Sequence, residues 1–284
     1  MTALDAASLI DAFTAGEGFP EDAVQACLDA PEAARPALMA ILEDRANGGT
    51  GPLSQRDAKG DACFIALHIL ADIDAKEAFA PLMQLLQSEN LDLEALFGDA
   101  MTETMGPILI ALNNGDYAQL EAGFSNNAVD DFARDAMMVA WAHGVISGAV
   151  DRDHARKLLA DFPVTVKPEP DSFMWGTYVA VAGDLGFEDL APIIDALFEN
   201  GTIAMDEGGF RPADPEDFGY HLEALKVSNE DAEAKDLWLA TNRYYAFEDT
   251  VEMLGDWSWD GDEAEWEDVP MLLAAEDDTP FDKN

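Results

Sequence analysis

Two segments of this 284-residue chain carry one pattern, and that pattern limits what the chain can fold into. Asp61 to Leu86 reads DACFIALHILADIDAKEAFAPLMQLL; Phe173 to Phe198 reads FMWGTYVAVAGDLGFEDLAPIIDALF. In each, the first run is apolar at almost every position. A turn containing Asp follows. The second run has apolar residues at helical spacing and an Ala-Pro pair near its start (Ala80-Pro81, Ala191-Pro192). A helix that is apolar all round has no side it can turn to water, so it must be an inner helix. A single hairpin cannot bury such a helix, whereas stacked hairpins form a continuous core. The fold expected is all-α.

The pattern resembles HEAT-type repeats, so the predicted architecture is a stack of helical hairpins, an α-solenoid or superhelix. Residues 1–225 are assigned to this repeat domain, 226–254 to a C-terminal helical extension, and 255–284 to an acidic, Trp-containing, flexible tail. Spacing and punctuation predict helices over Leu4–Phe13 (capped by Thr2), Glu21–Asp29, and onward from Pro31, with Pro36 in its first turns. Further helices are predicted over Leu91–Phe97, from Pro107 through ILIALNN, and over Tyr117–Gly123, Ala128–Ile146 and Asp151–Phe162. An extended linker is predicted for Pro163–Pro170. Beyond a loop at Asp206–Pro215, helices are predicted for Glu216–Leu225 and Asp231–Leu254. The glycine-rich run Asn47–Pro52 lacks the Lys-Ser/Thr ending and flanking strand of a phosphate loop, so it reads as a connection.

Charge excludes several partners. Asp and Glu number 58 against 15 Lys and Arg, a net charge of −43. Such a field repels nucleic acid and anionic membrane and favours basic partners or solubility in a salt-adapted cytoplasm. No run reaches the ~20 apolar residues of a membrane helix, and the acidic N-terminus lacks a signal peptide's basic start, so the protein is placed in the cytoplasm. Cys27 and Cys63 lie among apolar helix residues, and neither belongs to a CxxC pair. Buried free thiols are expected, with no zinc site, other metal or cofactor.

Four places could carry function. Asp99 and Glu103 are four residues apart, so a helix would put both carboxylates on one face, fit for a cation or for acid–base work. With Thr102 they equally suit a polar turn that caps helices. His68 and Asp72 share the same spacing on the inner helix and are expected to form a buried, hydrogen-bonded structural pair rather than a catalytic one. Phe173, Trp175 and Tyr178 open the second repeat's inner helix; aromatics at that spacing read as core, with a ligand pocket as the alternative. Trp257, Trp259 and Trp266 stand among acids in the tail. They are expected either to dock on the protein's own groove or to hold a basic, partly apolar partner.

The stretch LFGDAMTETMGPILIALNNGD, the helix FARDAMMVAWAHGVISGAV and the second repeat segment together resemble a bacterial family catalogued as domain of unknown function 1186. The likeness covers about Leu9 to Gly201, less clearly to Leu225, and is most specific at Gly98-Asp99, Thr102-Glu103 and Gly106. It implies an all-helical, HEAT-like fold and supplies no reaction or catalytic residue. Many members end in a SecA-type zinc motif; this chain has no cysteine in its C-terminal half, so zinc binding does not carry over. The function expected is a non-enzymatic scaffold that binds another, basic protein along a helical groove. The alternatives are an enzyme or small-ligand or cation-binding protein centred on Asp99 and Glu103, and an acidic mimic of nucleic acid.

Overall fold

The computed structural model describes residues 5–257, apart from 16–17, 49–61, 89–90, 205–208 and 210. Among the described residues the regular structure is helical throughout, without strands. The chain opens with α1 (Ala6–Phe13), α2 (Glu21–Asp29) and α3 (Pro31–Ala46), followed by α4 (Ala62–Asp72) and α5 (Phe79–Leu86). Three short helices come next: α6 (Leu93–Phe97), α7 (Ala100–Glu103) and α8 (Met105–Leu112). Then come α9 (Tyr117–Phe124), α10 (Asp131–Ile146), α11 (Arg152–Thr165), α12 (Met174–Asp184) and α13 (Ala191–Glu199). The chain closes with α14 (Asp217–Ser228), α15 (Ala232–Thr241) and α16 (Thr250–Gly255).

The apolar runs become inner helices, as their composition requires. From Ala62 to Ala71 every residue of α4 is buried. All of α8 is buried too, and α10 and α12 nearly so. α4, α8, α10, α12 and α14 pack each against the next, forming a row. Other helices cover this row: α3 lies on α4 and α5, and α9 on α10 and α5. α11 stacks Phe162 on Tyr178 of α12, ring centroids 5.2 Å apart and nearly parallel. The all-α stacked-helix architecture is therefore present.

The repeat extends to hydrogen-bond detail. α4 ends at Asp72 and α12 at Asp184; two residues later Asp74 and Gly186 adopt left-handed φ values of 54° and 67°. The next amide reaches five residues back in both copies, Ala75 to the Leu70 carbonyl at 2.9 Å and Phe187 to the Ala182 carbonyl at 3.1 Å. This closure satisfies carbonyls left open at a helix C-terminus. Each copy then makes a 3-10 turn, at Lys76–Ala78 and Glu188–Leu190, before its second helix. A cation crosses to or from each turn: Lys76 donates to the Ala111 carbonyl, and Arg152 donates to the Leu185 carbonyl.

Several boundaries differ from expectation. α1 is capped by Asp5, whose carboxylate accepts from the Ser8 amide at 2.9 Å; Thr2 lies outside the described residues. α10 starts at Asp131 because Asp130 caps it, accepting from the Phe132 and Ala133 amides. Pro163 does not begin an extended linker: α11 runs through it to Thr165 and stops where Lys167 turns left-handed. Pro36 sits inside α3, as expected.

The largest departure is at the C-terminus. Asp231–Leu254 is not one helix. α15 ends at Thr241, Arg243 takes a left-handed φ of 60°, and the Tyr244 amide reaches back to the Leu239 carbonyl at 2.8 Å. The chain then runs as a strap along the row of inner helices. Tyr244 donates its hydroxyl to Asp184 of α12 at 2.9 Å. Arg243 donates to the Thr102 carbonyl at 2.7 Å and lies 3.0 Å from Asp135 of α10. The Phe247 amide donates to the Pro107 carbonyl of α8 at 3.0 Å, and the Thr250 amide to Asp72 of α4 at 2.7 Å. α16 packs on α2 and α4. A left-handed non-glycine residue costs on the order of 1 kcal/mol. Burial of Tyr244, Phe247, Thr250 and Leu254 outweighs that cost at Arg243.

Asp184 is buried and holds two donors, so removing one leaves a buried carboxylate underbonded. Tyr244→Phe is expected to cost about 2 kcal/mol, read as a lower urea midpoint at unchanged slope.

Candidate functional site

Asp99, Thr102 and Glu103 are all exposed on or beside the single turn α7. Asp99 occupies the position before α7 but its carboxylate caps no amide there. The Thr102 hydroxyl donates to the Asp99 carbonyl at 3.0 Å, and its own carbonyl takes Arg243 of the strap. Asp99 and Thr102 line a shallow pocket of about 220 Å³ with Glu94, Gly98, Met101, Asp130 and Phe132; Glu103 is not among its lining residues. Among the described residues no group of three or more His, Cys, Asp and Glu side chains is arranged to hold a metal.

His68 and Asp72 do not pair. His68 is fully buried, with Nδ1 2.8 Å from the Phe64 carbonyl and Nε2 2.9 Å from Thr104 Oγ1. A carbonyl only accepts, so Nδ1 carries the proton and the Thr104 hydroxyl donates to Nε2. Both ring nitrogens are thereby used by a neutral imidazole. Asp72, at the end of the helix, reaches the strap instead. Burial pushes the His68 pKa down to about 4. The ring belongs to an aromatic cluster with Phe64, Phe247 and Trp257, at centroid distances of 4.5, 5.2 and 6.3 Å.

Trp257 thus docks on the protein's own inner helix, 5.3 Å from the Phe64 ring centroid. Trp259 and Trp266 lie outside the described residues, as does the predicted turn at Pro270–Ala275. Trp175 and Tyr178 are fully buried core residues. Trp175 donates its indole N–H to the Glu169 carbonyl at 2.9 Å, and half-buried Phe173 meets Phe132. Cys27 and Cys63 are both buried and not joined in a disulfide, and burial raises the Cys27 pKa to about 11.

A different place has the features of a binding surface. α14 and α15 face each other across an open cleft of about 360 Å³. Its walls are two stripes at one helical spacing: Tyr220, Glu223, Ala224 and Val227 on α14, and Ala234, Leu237, Trp238 and Thr241 on α15. Residues three, four and seven apart share one helix face, and an apolar face of that kind normally lies against a partner. Here it is open: Tyr220, Leu237 and Val227 are 71%, 68% and 46% exposed.

His221 lines the same cleft, and its Nδ1 lies 2.9 Å from buried Asp184. The carboxylate accepts only, so Nδ1 carries the proton. An imidazole oriented in this way could serve a nucleophile. The aliphatic hydroxyls that line the cleft are engaged elsewhere: Ser228 donates to the Leu225 carbonyl and Thr241 to the Leu237 carbonyl, both at 2.8 Å. Asp184 joins His221 to Tyr244, so the wall of the cleft and the strap share one buried carboxylate. Sequence reasoning missed the pair because 37 residues separate its members, with no local motif.

The model of a family described as protein of unknown function (DUF1186) matches residues 6–258, and the chain belongs to that family. The match runs beyond the expected limit near Leu225, through α14, α15 and the strap. No curated protein and no solved structure matches the chain. No helix among the described residues is long and apolar enough to cross a membrane.

His68 gives a pH prediction. Its folded pKa lies below the unfolded value of 6.5, so its contribution is intact above pH 6.5 and is lost as pH falls toward 4. The stability difference between the protein and His68→Gln is expected to shrink across that window by on the order of 3 kcal/mol, measured by urea titration at each pH. The His68 ring should remain neutral by NMR above about pH 5.

Proposed function

We propose that this family member is a non-enzymatic helical scaffold that binds another protein through the α14–α15 cleft. The observation that carries the reading is the pair of facing apolar stripes left open to solvent. Five large hydrophobic residues are exposed among those described, and three of them, Tyr220, Val227 and Leu237, line this one cleft. Scattered exposed apolar residues are ordinary, whereas a contiguous set on one face marks an interaction site. The engagement of the Ser228 and Thr241 hydroxyls also favours binding over chemistry. The face of the inner helices is less suited to a partner, because the strap buries Tyr244, Phe247 and Thr250 there.

A photo-crosslinking residue placed at Leu237 should join the protein covalently to another protein in cells. The same residue at Val164, which is 82% exposed but outside the cleft, should not. Adducts no stronger at Leu237 than at Val164 would contradict the reading.

A further inference from the structure

We infer that the α14–α15 cleft takes a basic amphipathic helix, which lies between the two helices as a third. The inference rests on the protein-binding reading of the same cleft and specifies its partner.

Three observations support it. The first is shape. Each wall offers residues three, four and seven apart, so the cleft presents two ridged surfaces, α14 contributing about 18 Å of length and α15 about 15 Å. A third helix packs against such a pair with side chains at the same recurrence, the usual helix-in-groove mode of recognition. The second is composition. Trp238 and Ala224 are at least half-buried between the walls, while Tyr220, Leu237 and Val227 stand at the rim, giving an apolar centre for anchors such as Leu or Phe.

The third is charge. Residues 216–241 contain seven acids and two lysines, and Glu216, Glu223, Glu230, Asp231, Glu233 and Asp236 are exposed. Lys235 is drawn inward over the Trp238 ring, 4.0 Å from its centroid. Glu223 lines the cleft, with Lys226 3.5 Å away, and the other acids lie on the same two helices and their connection, so the helical pair that frames the apolar floor carries a net charge of 2 − 7 = −5. A helix with Lys or Arg flanking an apolar stripe matches both features. A second copy of this chain would bring its own charge of −43 to an acidic face, so electrostatics oppose self-association there.

The test uses the full chain and labelled peptides of about five helical turns in fluorescence anisotropy. One peptide carries leucines at positions three, four and seven apart with lysines elsewhere. A second has the same composition in scrambled order, and a third replaces lysine by glutamate. The basic amphipathic peptide should bind about tenfold or more tighter than either control. Leu237→Asp and Val227→Asp should each weaken it about tenfold while leaving the scrambled peptide unchanged or slightly tighter. Both sites are exposed, so the variants keep the fold, which circular dichroism checks.

The sign is decisive. Attraction between an acidic protein and any basic peptide would be strengthened by an added Asp, whereas a cleft-seated helix is weakened by it. Equal binding of ordered and scrambled peptides would overturn the inference. So would variants that fail to weaken the ordered peptide, an acidic helix that binds as well, or a salt-induced dimer abolished by Leu237→Asp. Adducts at Leu237 together with no helix binding would remove this inference and leave the scaffold reading standing.

Discussion

The fold follows from helices that cannot face water. α4 and α8 are buried along almost their whole length because their sequences offer no polar face, and most of α10 and α12 is buried with them. Such a row needs cover from several directions. Helices α3, α9 and α11 supply part of it, and the strap from Asn242 to Trp257 supplies more. Tyr244, Phe247, Thr250 and Leu254 are as deeply buried as the helices beneath them. The strap is therefore part of the core rather than an appendage.

Its attachment reuses the repeat. Asp72 and Asp184 hold equivalent places, each the last residue of an inner helix ahead of the same left-handed turn. Each accepts from the strap, Asp72 from the Thr250 amide and Asp184 from the Tyr244 hydroxyl. A carboxylate withdrawn from water is tolerated only when donors replace its hydration, and the strap provides them. At Asp184 the second donor is His221, which joins the same carboxylate to the α14–α15 cleft. Strap and cleft are thus built on one polar anchor. The strap covers the inner row, and the exposed apolar stripes lie beside it on α14 and α15.

The sequence made the inner helices and their turns legible, because all-round apolarity and an Asp or Gly at the turn have few physical solutions. Gly186 accepts the left-handed conformation without cost, and Asp is among the residues that tolerate it, as at Asp74. The strap was not legible. Arg243 ends α15 in that conformation with no glycine or proline to signal it, and Tyr244 and Phe247 fit a helical spacing as readily as an extended one. The His68–Asp72 expectation failed because spacing places two side chains on one face without saying what else lies there; Thr104 and Thr250 did. Spacing predicted helices at the cleft but not its stripes, and a helical period alone does not distinguish a face turned to the core from one turned to solvent. Burial separated the two.

The account depends on the strap behaving as core, and native-state hydrogen exchange measures that directly. The Phe247 amide, bonded to the Pro107 carbonyl, and the Thr250 amide, bonded to Asp72, are the probes. If the strap completes the core, both should exchange only as slowly as amides within α4 and α8. Exchange of both at the rate of an exposed segment, with α4 and α8 still protected, would contradict the account.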